Sequence, residues 1–145
     1  MNLFTIGFTG KSAEKFFGLL EASKASKLID IRINRTSQLA GFAKEQDIKF
    51  FLPKIVGMRY LVREDLAPTK ELLALYREKK IQWEQFAQEY QQIVKDRGVL
   101  DSISPEEFDS SVLLCSENEP EKCHRSLLAD LISQEHPNFQ ITNLF

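Results

Sequence analysis

The residues best equipped for chemistry stand close together late in the chain, in Cys115-Ser116-Glu117 and, after Pro120, in Cys123-His124-Arg125-Ser126. A cysteine near a helix N-terminus or a guanidinium has its thiolate favoured, which makes it a nucleophile. His124 is the nearby side chain that ordinarily titrates around neutral pH. Arg125 carries a planar fork suited to a two-bonded grip on phosphate or carboxylate. The pattern therefore points to Cys115 as nucleophile and to His124 or Glu117 as its acid–base partner, with Cys123 and Arg125 beside a bound anion. Either cysteine alone reads more readily as an inert core thiol. The cluster carries the argument.

Two other segments bring polar groups to what should be the same edge of the fold. Asp30-Ile31-Arg32, followed by Arg35, ends a hydrophobic run. If the strand persists there, the carboxylate of Asp30 and the guanidinium of Arg32 are expected on opposite sides. Asp30 is then available to orient His124 or Arg125, while Arg32 and Arg35 add positive charge for an anion. A salt bridge that merely tethers the loop is the competing reading. Gly7-Phe8-Thr9-Gly10-Lys11-Ser12 resembles a phosphate-binding P-loop, but that motif requires glycine where Thr5 stands. The loop is too tight to wrap a triphosphate, and a simpler anion contact through backbone N–H groups is what remains.

Cys115, Cys123 and His124, with Glu117 or Asp30, also have the donor types that zinc or iron accepts. Paired Cys-x-x-Cys spacing is absent, and adjacent Cys123 and His124 on one helix should point about 100° apart. On that ground the sequence assigns no metal and no cofactor.

These residues need elements to position them. Asn2–Gly7 reads as a buried strand, and Ser12 caps a helix with Phe16, Phe17 and Leu20 on one face. Residues 28–31 form a second strand, giving a βαβ opening with a right-handed crossover. Residues 32–41 form an irregular loop. A short helix follows over residues 47–55 with Phe50, Phe51 and Ile55 inward, then a third strand over 58–62. Pro68-Thr69 opens a helix carrying Leu72, Leu73 and Tyr76. The next helix has Trp83, Phe86, Tyr90 and Val94 as a core stripe and stops at Gly98. Ser111–Cys115 is a buried strand, and residues 116–119 form a polar loop. Pro120 starts a helix that holds Cys123, His124 and Arg125 in its early turns. Residues 139–143 form a last strand. The prediction is a single-domain α/β fold, its parallel or mixed sheet flanked by helices, with a ligand site at the carboxyl edge of the strands.

Composition narrows the function classes. The chain of 145 residues has 19 basic and 21 acidic side chains and a net charge of −2, which is no footprint for broad nucleic-acid binding. No apolar run reaches the ~18 residues that span a bilayer, and no signal peptide is read at the N-terminus. A cytoplasmic protein without membrane contact is expected, in a compartment where two thiols serve chemistry rather than a disulfide.

Taken together, the segments resemble the family catalogued as domain of unknown function 488. The likeness rests on Thr5-Ile6-Gly7, Ser12 with Glu14 and Phe16, Asp30-Ile31-Arg32, Gly41-Phe42 and the stretch from Cys115 to Ser126. Residues 66–73 are similar to a short-chain branch of it. Membership implies a compact α/β fold and a shared polar site. The family loop after the first strand usually has His where Phe8 stands, which weakens a two-histidine mechanism. A fainter likeness is to rhodanese-type sulfurtransferases and cysteine phosphatases, but ten residues separate Cys115 from Arg125 and two separate Cys123 from it, so their short anion cradle is absent.

The first functional expectation is an enzyme with a Cys/His/Arg site acting on a phosphate- or nucleotide-like substrate. The alternatives are a non-catalytic module that binds a nucleotide or a nucleic-acid end, with Arg32, Arg35, Lys44 and Arg125 dominant, and a metal-stabilised structural protein. The partner in the first two is an anionic small molecule or a nucleic-acid end.

Overall fold

A computed structural model describes residues 1–36, 40–117 and 119–145. Ser37, Gln38 and Leu39 of the predicted loop at 32–41, and Asn118 of that at 116–119, lie outside the described residues. In chain order the elements are β1 (Asn2–Gly7), α1 (Ala13–Ser23), β2 (Lys27–Asp30), α2 (Glu45–Ile55), β3 (Arg59–Val62), α3 (Lys70–Arg77), α4 (Trp83–Arg97), α5 (Val99–Ser102), β4 (Ser111–Cys115), α6 (His124–Glu135) and β5 (Gln140–Leu144). Short 3-10 turns stand at Gly41–Ala43, Glu64–Leu66 and Pro105–Glu107.

The local reasons are ordinary ones. Ser12 accepts a hydrogen bond from the Lys15 N–H at 3.1 Å and caps α1, as Thr69 does for the Leu72 N–H in α3. Gly98 closes α4 with φ of 65°, a left-handed conformation that costs glycine little.

The strands form one sheet in the order β3-β2-β4-β1-β5, and every pairing is parallel. The expected α/β fold is thus found, with the parallel alternative realised. Its order follows from the crossovers. The chain runs outward from β1 to β2 and β3, then returns to β4 and β5, so right-handed connections put the two sets of helices on opposite faces. Two apolar clusters match: Ile6, Phe16, Leu28, Leu52 and Leu114 lie on the α1–α2 face, and Leu3, Ile29, Tyr90, Leu113 and Leu128 on the α4–α6 face. Alternation along each strand sorts the side chains between them.

Three expectations are corrected here. In α2 the buried residues are Ile48 and Leu52, whereas Phe50 is 57% and Ile55 is 51% exposed and Phe51 is at the boundary. The stripe at 51 and 55 is helical in spacing but turned about 100° from the one at 48 and 52, which meets the sheet. In α6 the helix begins at His124, so Pro120 and Cys123 lie outside it. Asp30 and Arg32 do not face opposite ways. Residues two apart would share a face even in a continuing strand; here β2 ends at Asp30, and the two side chains meet in a buried two-bonded ion pair, Nε to Oδ1 at 2.9 Å and Nη2 to Oδ2 at 2.7 Å.

Candidate functional site

The parallel register aligns Gly7 with Cys115 and Asp30 with Leu114. The carboxyl ends of β1, β2 and β4 therefore lie side by side, and β4 delivers Cys115, 4% exposed, at that edge. Cys123 precedes α6 in extended conformation (φ −140°, ψ 140°). That conformation removes the expected 100° divergence from His124, because the two residues do not share a helix. The sulfurs of Cys115 and Cys123 and one ring nitrogen of His124 all lie within 4.8 Å of one another. The argument that made joint metal ligation awkward is corrected by this geometry, since one small tetrahedral ion reaches donors so disposed.

The His124 ring is held from three sides. Its Nε2 is 2.9 Å from the Ile31 carbonyl. A carbonyl only accepts, so Nε2 carries the proton and, in the neutral ring, Nδ1 holds the lone pair. Nδ1 stands 3.4 Å from the Cys115 sulfur. The Tyr90 ring meets the imidazole edge to face at 5.4 Å, with its own hydroxyl donating to the Leu66 carbonyl at 2.6 Å. Burial lowers the His124 pKa, and the charges of Arg125 and Arg77 add to that against the opposing effects of Cys123 and the Ile31 bond. The ring rests neutral, with its lone pair toward the thiol.

For Cys115, burial pushes the thiol pKa up, but four features outweigh it. A hydrogen bond from Cys123, the charge of Arg125, and the backbone N–H groups of Glu117 and Ser116 together bring it below the ordinary value. Cys123 moves the other way, raised by burial and by donating to Cys115. Of the pair, Cys115 is thereby the sulfur that gives up its proton more readily, and Cys123 the one that holds it.

Arg125 is fully buried. Its Nε donates to the Thr5 hydroxyl at 3.3 Å, and its Nη1 donates to the Glu117 carbonyl and approaches the Cys123 sulfur at 3.6 Å. Thr5 in turn donates to Asn143 at 2.6 Å. Arg125 thus acts on the sulfurs from behind and is not among the residues lining the adjoining cavity. Glu117 touches Arg125 through its backbone carbonyl while its exposed residue surface reaches the cavity. Gly7 makes that packing possible: a methyl group added there would collide with the Glu117 carbonyl and crowd the Arg125 guanidinium.

Asp30 does not orient His124 or Arg125. Both its oxygens are engaged by Arg32, and Tyr60 donates to Oδ2 at 2.5 Å. Burial and then the Asp30 charge raise the Tyr60 pKa, which keeps the phenol a donor. Arg32 also donates to the Ala43 carbonyl at 2.7 Å and lies 5.2 Å over the Phe8 ring. So the phenyl at position 8 backs a guanidinium. Arg35 binds Glu45 at 3.1 Å and Glu64 at 2.8 Å and lines a neighbouring depression, away from the sulfurs.

A cavity of about 330 Å³ opens on Cys115, Cys123 and His124. Tyr76, Trp83 and Phe86 form one wall, and Arg77 and Lys122 also line it. The aromatic residues are core residues as their spacing predicts, Phe86 within the cluster and Tyr76 and Trp83 packed against it, and they also face the cavity; the two cations carry no spacing signal. Lys11 is buried and its pKa is lowered, first by burial and then by Arg125; Ser12 uses its hydroxyl as the α1 cap. The P-loop-like segment is tied instead to the β4 loop by the Thr9 N–H on the Ser116 carbonyl at 3.1 Å.

Among the described residues, no helix is long and apolar enough to cross a membrane. No curated protein and no solved structure matches the chain. The family described as Domain of unknown function DUF488 matches over residues 12–132, from the cap of α1 to the buried face of α6. With most of its length inside that match, and with Asp30-Ile31-Arg32 and both cysteines within it, the chain belongs to the DUF488 family.

Proposed function

We propose that this protein is a cytoplasmic thiol-dependent enzyme acting on an anionic, phosphate- or nucleotide-like small molecule bound at the carboxyl edge of the sheet. The observation that carries the reading is the 3.4 Å approach of Cys115 Sγ to His124 Nδ1, with the ring fixed by Ile31, at the wall of a cavity. A thiol aligned with a neutral imidazole is the arrangement of an activated nucleophile.

His124 removes the Cys115 proton, and the sulfur attacks the electrophilic centre of the substrate. A bond from sulfur to that centre forms as the bond to the leaving group breaks, and the leaving group takes the proton from His124. Water then cleaves the sulfur adduct and restores the thiol. The buried charge of Arg125 and the S–H of Cys123 stabilise the thiolate. Glu117, exposed and lining the same cavity, guides a proton or water.

The test uses activated nitrophenyl esters and phosphates as generic substrates. Wild-type protein should release nitrophenolate in a stoichiometric burst. Cys115→Ser should abolish the burst while its circular dichroism and melting curve stay those of the wild type. A burst that survives in Cys115→Ser refutes Cys115 as nucleophile. The same series run with chelator separates thiol protection by an ion from intrinsic reactivity.

A further inference from the structure

The cavity beside Cys115 has a composition that says more about its ligand than the sulfurs do. Its wall on α3 and α4 is aromatic and continuous. Trp83 stacks on Phe86 at 5.4 Å and 23°, Tyr76 lies 5.1 Å from Phe86 at 35°, and Tyr76 approaches Trp83 at 5.6 Å. Phe86 is buried, whereas Tyr76 and Trp83 are partly exposed, so ring surface is presented to the cavity. Such a wall suits a planar π system, and an aromatic side chain stacks on a base irrespective of base identity.

The same cavity is lined by Arg77 and Lys122, both exposed and neither in an ion pair among the described residues. By contrast the Arg32 guanidinium that also reaches it is neutralised by Asp30. Against these two cations the cavity is also lined by one carboxylate, that of Glu117, and the positive charge left over beside an aromatic wall fits an anion attached to a planar group. The volume of about 330 Å³ sits at the small end of ligand sites, on the order of 300–1,000 Å³, which suits one nucleotide unit rather than a polymer.

We infer that this cavity binds an anion carried on a planar ring system, of the size of a nucleoside monophosphate, with its ring against Trp83 and Tyr76 and its phosphate between Arg77 and Lys122. This rests on the cavity being the substrate site and names the substrate class for it. Neither the aromatic pair nor the two cations belong to the thiol machinery, so the two readings can fail separately.

Trp83 is the only tryptophan in the chain, which makes its fluorescence a reporter of this wall. The experiment titrates the full chain with AMP, UMP, adenosine, inorganic phosphate and benzoate, following Trp83 emission and, in parallel, heat of binding. The expected result is saturable quenching by AMP and UMP, and binding at least tenfold weaker for adenosine and for phosphate alone. Arg77→Gln and Lys122→Gln should each weaken AMP by about tenfold, the loss of one charge-assisted contact, with the melting temperature unchanged. Tyr76→Ala should weaken AMP as well. Quenching without preference for AMP over adenosine overturns the phosphate subsite, and benzoate binding tighter than AMP overturns the nucleotide assignment. Absence of any AMP binding in wild-type protein overturns the inference entirely. AMP binding that persists in Cys115→Ser, in a protein whose Cys115 proves unreactive, would keep this inference while removing the thiol chemistry.

Discussion

Cys115 and His124 meet through Sγ and Nδ1 at 3.4 Å, and the far nitrogen of the same ring is anchored 2.9 Å from the carbonyl of Ile31. The ends of two different strands thereby set one contact: β4 supplies the sulfur, and the residue after β2 fixes the ring that faces it. His124→Gln should slow turnover of a nitrophenyl ester by roughly 10²- to 10⁴-fold, the usual contribution of a positioned base. The same substitution should change the acid stability. Burial holds the folded His124 pKa below its ordinary 6.5, so the unfolded chain takes the proton first as pH falls. The stability that the neutral ring contributes is present above ~6.5 and is lost as pH drops through the folded value. Melting curves across that range should show a shallower acid slope for His124→Gln than for the wild type. Equal slopes would contradict a buried neutral ring.

Gly7 is tested by one methyl group. Gly7→Ala drives a Cβ into the Glu117 carbonyl beside Arg125, and the loop after β4 must shift. Overpacking of this kind costs ~1–3 kcal/mol, and the shift should also withdraw the amides of Ser116 and Glu117 from the Cys115 sulfur. The expected outcome is a lower melting temperature together with slower Cys115 alkylation. Unchanged values for both would contradict the close approach.

Asp30 and Arg32 form a buried pair, 0% and 2% exposed. Breaking such a pair by removing one partner costs ~3–5 kcal/mol, because a charge is left buried and alone. Asp30→Asn and Arg32→Met should each lower the unfolding free energy by about that amount in denaturant titrations. The double substitution Asp30→Asn with Arg32→Met should cost less than the sum of the singles. Additive losses would mean the two side chains act independently.

Phe50 gives the opposite expectation. Its ring is exposed on α2, with contacts to Phe51 and the Lys54 ammonium. Phe50→Ser should change stability by no more than ~0.5 kcal/mol, whereas Leu52→Ala, in the core on the same helix, should cost ~2–5 kcal/mol. A large loss for Phe50→Ser would restore the inward face read from the sequence.

Much of the framework was legible because local signals agreed with the tertiary fold. Ser12 and Thr69 announced caps, Gly98 a helix end, and the Val112-Leu113-Leu114 run a central strand. The clustering of Cys115, Cys123, His124 and Arg125 was also legible, since strand β4 and the start of α6 are adjacent in sequence. What failed depended on phase and distance. A short helix such as α2 has two candidate stripes one residue out of step, and only contact with the sheet selects Ile48 and Leu52. Tyr76, Trp83, Arg77 and Lys122 come from three separate segments, and nothing in their spacing says that one cavity gathers them. Arg125 and Asp30 stand out in the sequence as charged candidates, but the partners Thr5 of Arg125 and Tyr60 of Asp30 lie on strands distant in sequence.

The most direct test of Cys115 as an activated thiolate is its alkylation rate across pH, resolved from that of Cys123 by peptide mapping, with and without chelator. The account predicts that Cys115 reacts fast and that its rate holds well below the free-thiol pKa of ~8.5, while Cys123 lags far behind at every pH. Slow reaction at both cysteines with and without chelator, or a Cys115 profile that follows the free thiol, would contradict it.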